Sequence, residues 1–160
     1  MTFFGIDPGL TGCIAALDRA GALIAHLPMP TLRVGSKNRV NGAAVAAFLV
    51  AYSPEGPRHA YLELVGSMPK QSPNSMFSFG HSAGLVEGVL AGLGIPYTLV
   101  LPQTWKKHAG LMGTDKDASR SRAIQLYPGL RELDLKTKGQ ALADAILIAR
   151  AGLLLETSKR

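Results

Sequence analysis

Thr2-Phe3-Phe4-Gly5-Ile6-Asp7-Pro8-Gly9-Leu10-Thr11-Gly12 is the stretch on which the reading of this chain turns. A short apolar run ends on one acid, and a Pro-Gly turn follows at once, which predicts a strand that stops at Asp7. Two more apolar runs, Cys13–Leu17 and Ala22–Leu27, flank the turn Asp18-Arg19-Ala20-Gly21. Three short runs joined by tight turns predict an antiparallel meander. Residues 28–40 are Pro-rich and then basic (Arg33, Lys37, Arg39), which predicts a loop. Asn41 predicts the N-cap of a helix that ends near Tyr52.

Beyond Pro54-Glu55-Gly56-Pro57 the elements alternate. His59–Val65 reads as a strand, Gly66–Ser75 as an exposed loop and Met76–Leu93 as a helix. Ile95–Leu101 reads as a strand, Pro102 to Trp105 as a helical turn, and Gly110–Asp115 as a second loop. Lys116–Tyr127 and Thr137–Leu155 read as helices. A meander followed by alternating strands and helices implies an α/β fold, with a mixed five-stranded sheet flanked by helices.

The 160 residues suit one domain, 1–160. Hydrophobic residues at 47% and charged residues at 18% exclude a disordered chain. The net charge of +6 favours a polyanionic partner. Residues 66–160 hold twelve basic and seven acidic side chains, against five and four before them, so the excess lies downstream of Glu63. Cys13 is the one cysteine, which excludes an intrachain disulfide and a cysteine-based zinc site and fits a reducing compartment. No secretory signal is visible, and Ala141–Leu155 is too short and too interrupted to span a bilayer. The expectation is a soluble cytoplasmic protein.

Three acids stand out. By strand alternation Phe3, Gly5 and Asp7 share one face, while Tyr61, Glu63 and Val65 share another. Sites in open α/β sheets lie beyond the carboxyl ends of the strands. If the two strands are parallel neighbours, Asp7 and Glu63 converge there. Asp144 sits in Ala141-Leu142-Ala143-Asp144-Ala145-Ile146-Leu147-Ile148-Ala149, so apolar residues surround it on nearly every helical face. Each acid has an ordinary alternative: a turn opener, a lysine partner, a solvated helix residue. Together they point to a cation, since buried carboxylates crowd together only when one neutralises them. Oxygen-only ligands suit Mg²⁺ or Mn²⁺.

These residues, in this order, resemble the RuvC-type Holliday junction resolvases of the RNase H-like superfamily. Phe4-Gly5-Ile6-Asp7-Pro8-Gly9 looks like the opening strand and first metal ligand, and Leu62-Glu63 like the second motif. Pro102-Gln103-Thr104-Trp105-Lys106-Lys107, Lys116-Asp117-Ala118-Ser119-Arg120 and Leu126-Tyr127-Pro128 follow as in that family, and Ala143–Ala149 looks like the last motif. The second half is more similar to phage-type and organellar members than to the main bacterial branch. The chain departs from the bacterial pattern at Ala141, where a further acid is usual, and from related branches at Gln140, where a histidine is frequent. Gln140 can donate or accept a hydrogen bond but cannot serve as an imidazole base. The loop after Glu63 lacks the family's base-stacking aromatic; Met68 is its large apolar residue, equally readable as a core filler.

The resemblance implies a metal-dependent endodeoxyribonuclease that resolves four-way junctions by paired symmetric nicks, in DNA recombination and repair or in debranching phage DNA. Asp7, Glu63 and Asp144 would hold two Mg²⁺ ions (Mn²⁺ substituting) about 3.5–4 Å apart on the scissile phosphate, with Lys116 and Gln140 assisting. Arg33, Lys37, Arg39, Lys70, Lys106, Lys107, Lys116, Arg120 and Arg122, with Met68, are the expected DNA contacts, mostly to phosphate. Trp105 reads as a core or hinge anchor ahead of a base-stacker. Gly80, Gly84, Gly88 and Gly92 form one stripe, for packing on the sheet or for a C2 homodimer through the Met76–Leu93 helix. The source would be bacterial or phage. Open alternatives are another RNase H-like nuclease acting on RNA–DNA hybrid, flap or rRNA precursor, and a non-catalytic junction-binding protein. The Asp7–Gly12 turn also resembles the phosphate loop of actin-like ATPases, which need a second lobe that 160 residues leave no room for.

Overall fold

The structure is a computed structural model that describes residues 1–53, 56–64, 66, 71–115 and 117–157. In chain order the elements are β1 (Thr2–Ile6), β2 (Cys13–Leu17), β3 (Leu23–Pro28), β4 (Thr31–Val34), β5 (Lys37–Val40) and α1 (Gly42–Ala51). Then come β6 (Arg58–Glu63), α2 (Pro73–Gly92), β7 (Tyr97–Val100), α3 (Pro102–Ala109), α4 (Ala118–Leu126), a 3-10 turn (Arg131–Asp134) and α5 (Lys136–Thr157). The main sheet runs β3-β2-β1-β6-β7, with β1 to β3 antiparallel and β6 and β7 parallel to β1. This is the expected mixed five-stranded sheet, with β1 at its centre.

Strand β1 is buried on both faces from Phe3 to Ile6, which is why that stretch is apolar without interruption. Phe4 and Ile6 pack with Val45 and Leu49 of α1 and with Val86 and Leu90 of α2. Phe3 faces the other layer, with Tyr61, Leu147 and Ile148. Helix α5 lies across β1 and β2 on that side. Gly5 makes this approach possible. A Cβ there would stand 2.0 Å from the Ala145 carbonyl oxygen and 2.4 Å from the Ala149 nitrogen, so any side chain would push α5 off the sheet. The contact at Ala145 places its neighbour, Asp144, over the end of β1.

The parallel register pairs Gly5 with Tyr61 and Ile6 with Leu62. The two faces assigned separately to the Asp7 and Glu63 strands are therefore one face of the sheet, and the two acids leave it side by side.

Four expectations change. Residues 28–40 are not all loop, because β4 and β5 pair as an antiparallel hairpin from Thr31↔Val40 to Val34↔Lys37. Gly35, at φ +60°, turns it. Its strands are short and largely exposed: Leu32 and Val34 alternate with Thr31 and Arg33 over four residues, and β5 carries no apolar alternation, too little to mark a hairpin. Helix α2 begins at Pro73, inside the stretch expected to be loop: the Ser72 hydroxyl caps the Ser75 N–H at 3.2 Å, and proline fits the first turn, where its missing N–H costs nothing. Helix α4 begins at Ala118, after the expected Lys116. The glycine stripe does not pack on the sheet, since added Cβ atoms at Gly80, Gly84, Gly88 and Gly92 would meet nothing within 4 Å among the described residues. Asn41 caps α1 as expected, its side-chain oxygen accepting from the Ala44 N–H at 3.2 Å. No helix among the described residues is long and apolar enough to cross a membrane.

Candidate active site

Asp7 stands where β1 stops and the chain turns back into β2. Its N–H donates to the Cys13 carbonyl and the Gly12 N–H to the Gly9 carbonyl, at 3.0 and 2.9 Å. Gly12 is required by space: a Cβ would lie 2.2 Å from the Asp7 carbonyl oxygen. The Gly9 N–H donates to Asp7 Oδ1 at 3.0 Å and fixes the carboxylate. Glu63 ends β6, and its Oε1 accepts from Trp105 Nε1 of α3 at 2.9 Å. Asp144 projects from α5. Its Oδ1 accepts from Gln140 Nε2, one turn earlier, at 3.1 Å. Ser119 of α4 hydrogen-bonds Asp144 as well, and its hydroxyl also accepts from Gln140 Nε2. Strand, strand and helix thus bring the three acids to one end of the sheet, and two short helices supply the groups that hold Glu63 and Asp144.

The acids sense one another. Burial, and then repulsion from Asp7 and Asp144, push Glu63 up to about 7, against the Trp105 hydrogen bond that lowers it. Burial and repulsion from Asp7 push Asp144 up to about 6, opposed by hydrogen bonds from Ser119 and Gln140. Burial also raises Asp7, opposed by the Gly9 N–H. Lys106 draws both Glu63 and Asp144 down by its charge. None of the three acids forms a salt bridge among the described residues.

A cleft of 240 Å³ opens beside Glu63 and Asp144, lined also by Trp105, Lys106, Asp115, Ser119 and Gln140. Larger hollows exist, such as one of 830 Å³ beside Gly110, Asp117 and Arg122, but they hold none of these acids. The donor set fits a hard divalent cation: three mutually repelling carboxylates, each with one oxygen held by a neutral donor, and a buried Gln140 Oε1 with no partner. No three of His, Cys, Asp and Glu among the described residues close around a single point.

The expected DNA contacts scatter. Arg33 and Lys37 lie exposed on the β4–β5 hairpin, and the Arg39 guanidinium stacks 5.6 Å from the Phe77 ring centroid. Lys106 lies in the cleft with its Nζ 5.4 Å from the Trp105 ring, and Lys107 is exposed beside it. Arg122 bonds Gln125 at 3.2 Å. Arg120 turns inward, donating to the Leu133 carbonyl at 3.4 Å with its Nε buried and unpartnered. Met68, Lys70 and Lys116 lie outside the described residues. Sequence alone misses two roles. Ser119 stands out there only as part of a motif, and its spacing from Asp144 gives no sign that they meet. Trp105 reads there as an anchor, which its 2% exposure supports, yet its N–H also reaches the site.

No protein-family profile matches the chain. It is 31% identical over 121 residues to the chloroplastic Holliday junction resolvase MOC1 of Chlamydomonas reinhardtii. That match covers 74% of this chain and 14% of the relative, so the chain spans a small part of that protein's length. Among solved structures it resembles Thermus thermophilus RuvC, with a TM-score of 0.64 and 18% identity, over 99% of this chain and 97% of that one. It also resembles T. thermophilus RuvC in complex with a Holliday junction substrate, with a TM-score of 0.66 and 17% identity, over 98% and 96%. The chain has the RuvC form of the RNase H-like fold.

Proposed function

We propose that this chain is a RuvC-type Holliday junction resolvase, a metal-dependent endodeoxyribonuclease working as one nuclease domain. The observation that carries the reading is the meeting of Asp7, Glu63 and Asp144 at one end of a RuvC-like sheet, half-buried and unpaired by any cation of the protein among the described residues. The similarity to a chloroplastic resolvase over 121 residues supports the choice of substrate.

Asp7, Glu63 and Asp144 would hold two Mg²⁺ ions, with Mn²⁺ as a substitute. Bound there, the ions supply positive charge to the phosphodiester and to the water that attacks it. The protein's own part is placement. The Gly9 N–H, Trp105 and Gln140 set the three carboxylates, and Ser119 braces Gln140 and Asp144. Gln140 stands where related branches carry histidine; it orients Asp144 and takes no proton. Lys106, in the cleft, offsets charge on the bound phosphate, and Lys116 and Lys70 serve the same end. Arg33, Lys37, Arg39, Lys107 and Arg122 would hold DNA phosphates, and Met68 would serve as the apolar contact to the junction bases. Arg120 is withdrawn from this set, because its side chain is engaged with Leu133.

Paired symmetric nicks need two such sites. A C2 homodimer through α2 supplies them: Phe77 is 65% exposed, and the glycine stripe beside it leaves open room for a second backbone. The test is a substrate panel with Mg²⁺: a four-way DNA junction, a flap, linear duplex and an RNA–DNA hybrid. Preferential symmetric nicking of the junction is the expected result. Preference for the hybrid or flap would move the chain to another RNase H-like activity, and tight binding without cutting would make it a junction-binding protein.

A further inference from the structure

We propose that Trp105 is a positioning residue, whose indole N–H holds one oxygen of Glu63 so that the other faces a divalent cation; this rests on the cation-site reading above. A buried indole needs an acceptor for its single donor. Here the acceptor is a carboxylate of the site, Glu63 Oε1 at 2.9 Å. The carbon body of the same ring is fixed in the apolar layer with Val100, Leu111 and Leu147, at 2% exposure. One side chain thus ties the core rigidly to a group in the cleft. Glu63 Oε2 has no hydrogen-bond donor among the described residues.

The chemistry of the donor matters. An ammonium at this position would cancel the negative charge that attracts a cation. An indole is neutral, so it fixes the direction of the carboxylate and leaves its charge. The Gly9 N–H and the Gln140 amide do the same for Asp7 and Asp144. Lys106, the lysine that lines the cleft among the described residues, lies over the indole ring. Glu63 needs such a restraint more than the two aspartates do, because it has one more rotatable bond to freeze. Partners of this kind commonly change metal affinity by about 10–100-fold when removed.

The chain has one tryptophan, so fluorescence excited at wavelengths its tyrosines do not absorb reports this indole alone. Mn²⁺ binding to the full chain without DNA is measured by the loss of the free-ion electron paramagnetic resonance signal. Trp105 emission is followed in parallel through the same titration with Mg²⁺ and with Mn²⁺. The expected result is a saturable change in emission that tracks Mn²⁺ occupancy and is lost in Glu63→Gln. Trp105→Phe, which keeps the ring and drops the donor, should bind Mn²⁺ about tenfold more weakly. Its nicking should recover towards the wild-type rate at saturating metal, whereas a general structural loss would not recover. If Trp105→Phe fails to fold, the wild-type titration still decides. Equal Mn²⁺ affinity in folded Trp105→Phe overturns the proposal, as does an indole that stays silent while Mn²⁺ binds; either leaves the nuclease reading standing. Absence of any Mn²⁺ binding to the wild type overturns both.

Discussion

Raising the pH of the metal-free protein should destabilise it, and the acids of the cleft set how much. Burial and mutual repulsion carry Glu63 from 4.5 to about 7 and Asp144 from 3.8 to about 6. Both folded values lie above the unfolded ones, so the folded state holds protons that the unfolded state releases. The stabilisation is then fully present below about pH 4 and is lost as pH rises through about 6 and 7. At ~1.4 kcal/mol per pH unit, Glu63 alone accounts for about 3 kcal/mol, and Asp144 for a similar amount, part of it shared because the two repel each other. That is a large share of the ~5–15 kcal/mol that holds a domain of this size together. The assay is urea unfolding in chelator, followed by circular dichroism between about pH 4.5 and pH 8, where wild type should lose several kcal/mol. Glu63→Gln should make the profile less steep and be more stable than wild type near pH 8, because a buried charge that also repels Asp7 and Asp144 is gone. Saturating Mg²⁺ should restore the wild type at that pH and leave Glu63→Gln nearly unchanged. A flat wild-type profile, or a Glu63→Gln profile that falls as steeply, would refute the claim that these acids are buried together in the cleft.

Three further outcomes rest on particular side chains. Gly5→Ala sets a methyl 2.0 Å from the Ala145 carbonyl oxygen, so α5 must retreat and Asp144 with it; the denaturation midpoint should fall by the equivalent of ~1–3 kcal/mol or more, and nicking should fall with it. Changing Lys106 and Lys107 together to alanine should reduce the slope of log affinity against log salt by ~0.9 for each phosphate no longer neutralised, measured by fluorescence anisotropy on a junction; an unchanged slope would remove both from the interface. Asn41→Ala deletes the acceptor for the Ala44 N–H and should cost ~1 kcal/mol in urea unfolding, with little effect on the cleft.

The parts of the fold that are legible in the sequence are those with strong local signals. Phe3–Ile6 and Cys13–Leu17 are apolar throughout because their strands are buried on both faces, and the turn after Asp7 announces itself by Pro8 and Gly9. The hairpin at Thr31–Val40 is hidden because its strands are four residues long and largely exposed, and are held by backbone pairing that most side chains permit. The start of α2 at Pro73 is hidden inside the expected loop Gly66–Ser75, because a proline in the first turn of a helix is recognised only once Ser72 is known to cap. Within the site the acids are legible by type and by apolar surroundings. Their partners are not. The Trp105–Glu63 and Ser119–Asp144 contacts join residues 42 and 25 positions apart, a distance at which no spacing rule operates. The glycine stripe is legible as a stripe, and its direction, away from the sheet, is not.

The proposed function stands or falls on Asp7, Glu63 and Asp144 as a metal-dependent site for cutting branched DNA. The most direct measurement is nicking of a synthetic four-way junction with Mg²⁺, wild type beside Asp7→Asn, each also in chelator. The expected result is paired nicks at symmetric positions by the wild type, none in chelator, and a loss of at least about two orders of magnitude in Asp7→Asn, in line with the several kcal/mol a catalytic metal supplies. Equal cutting by Asp7→Asn, or cutting by the wild type in chelator, would contradict it.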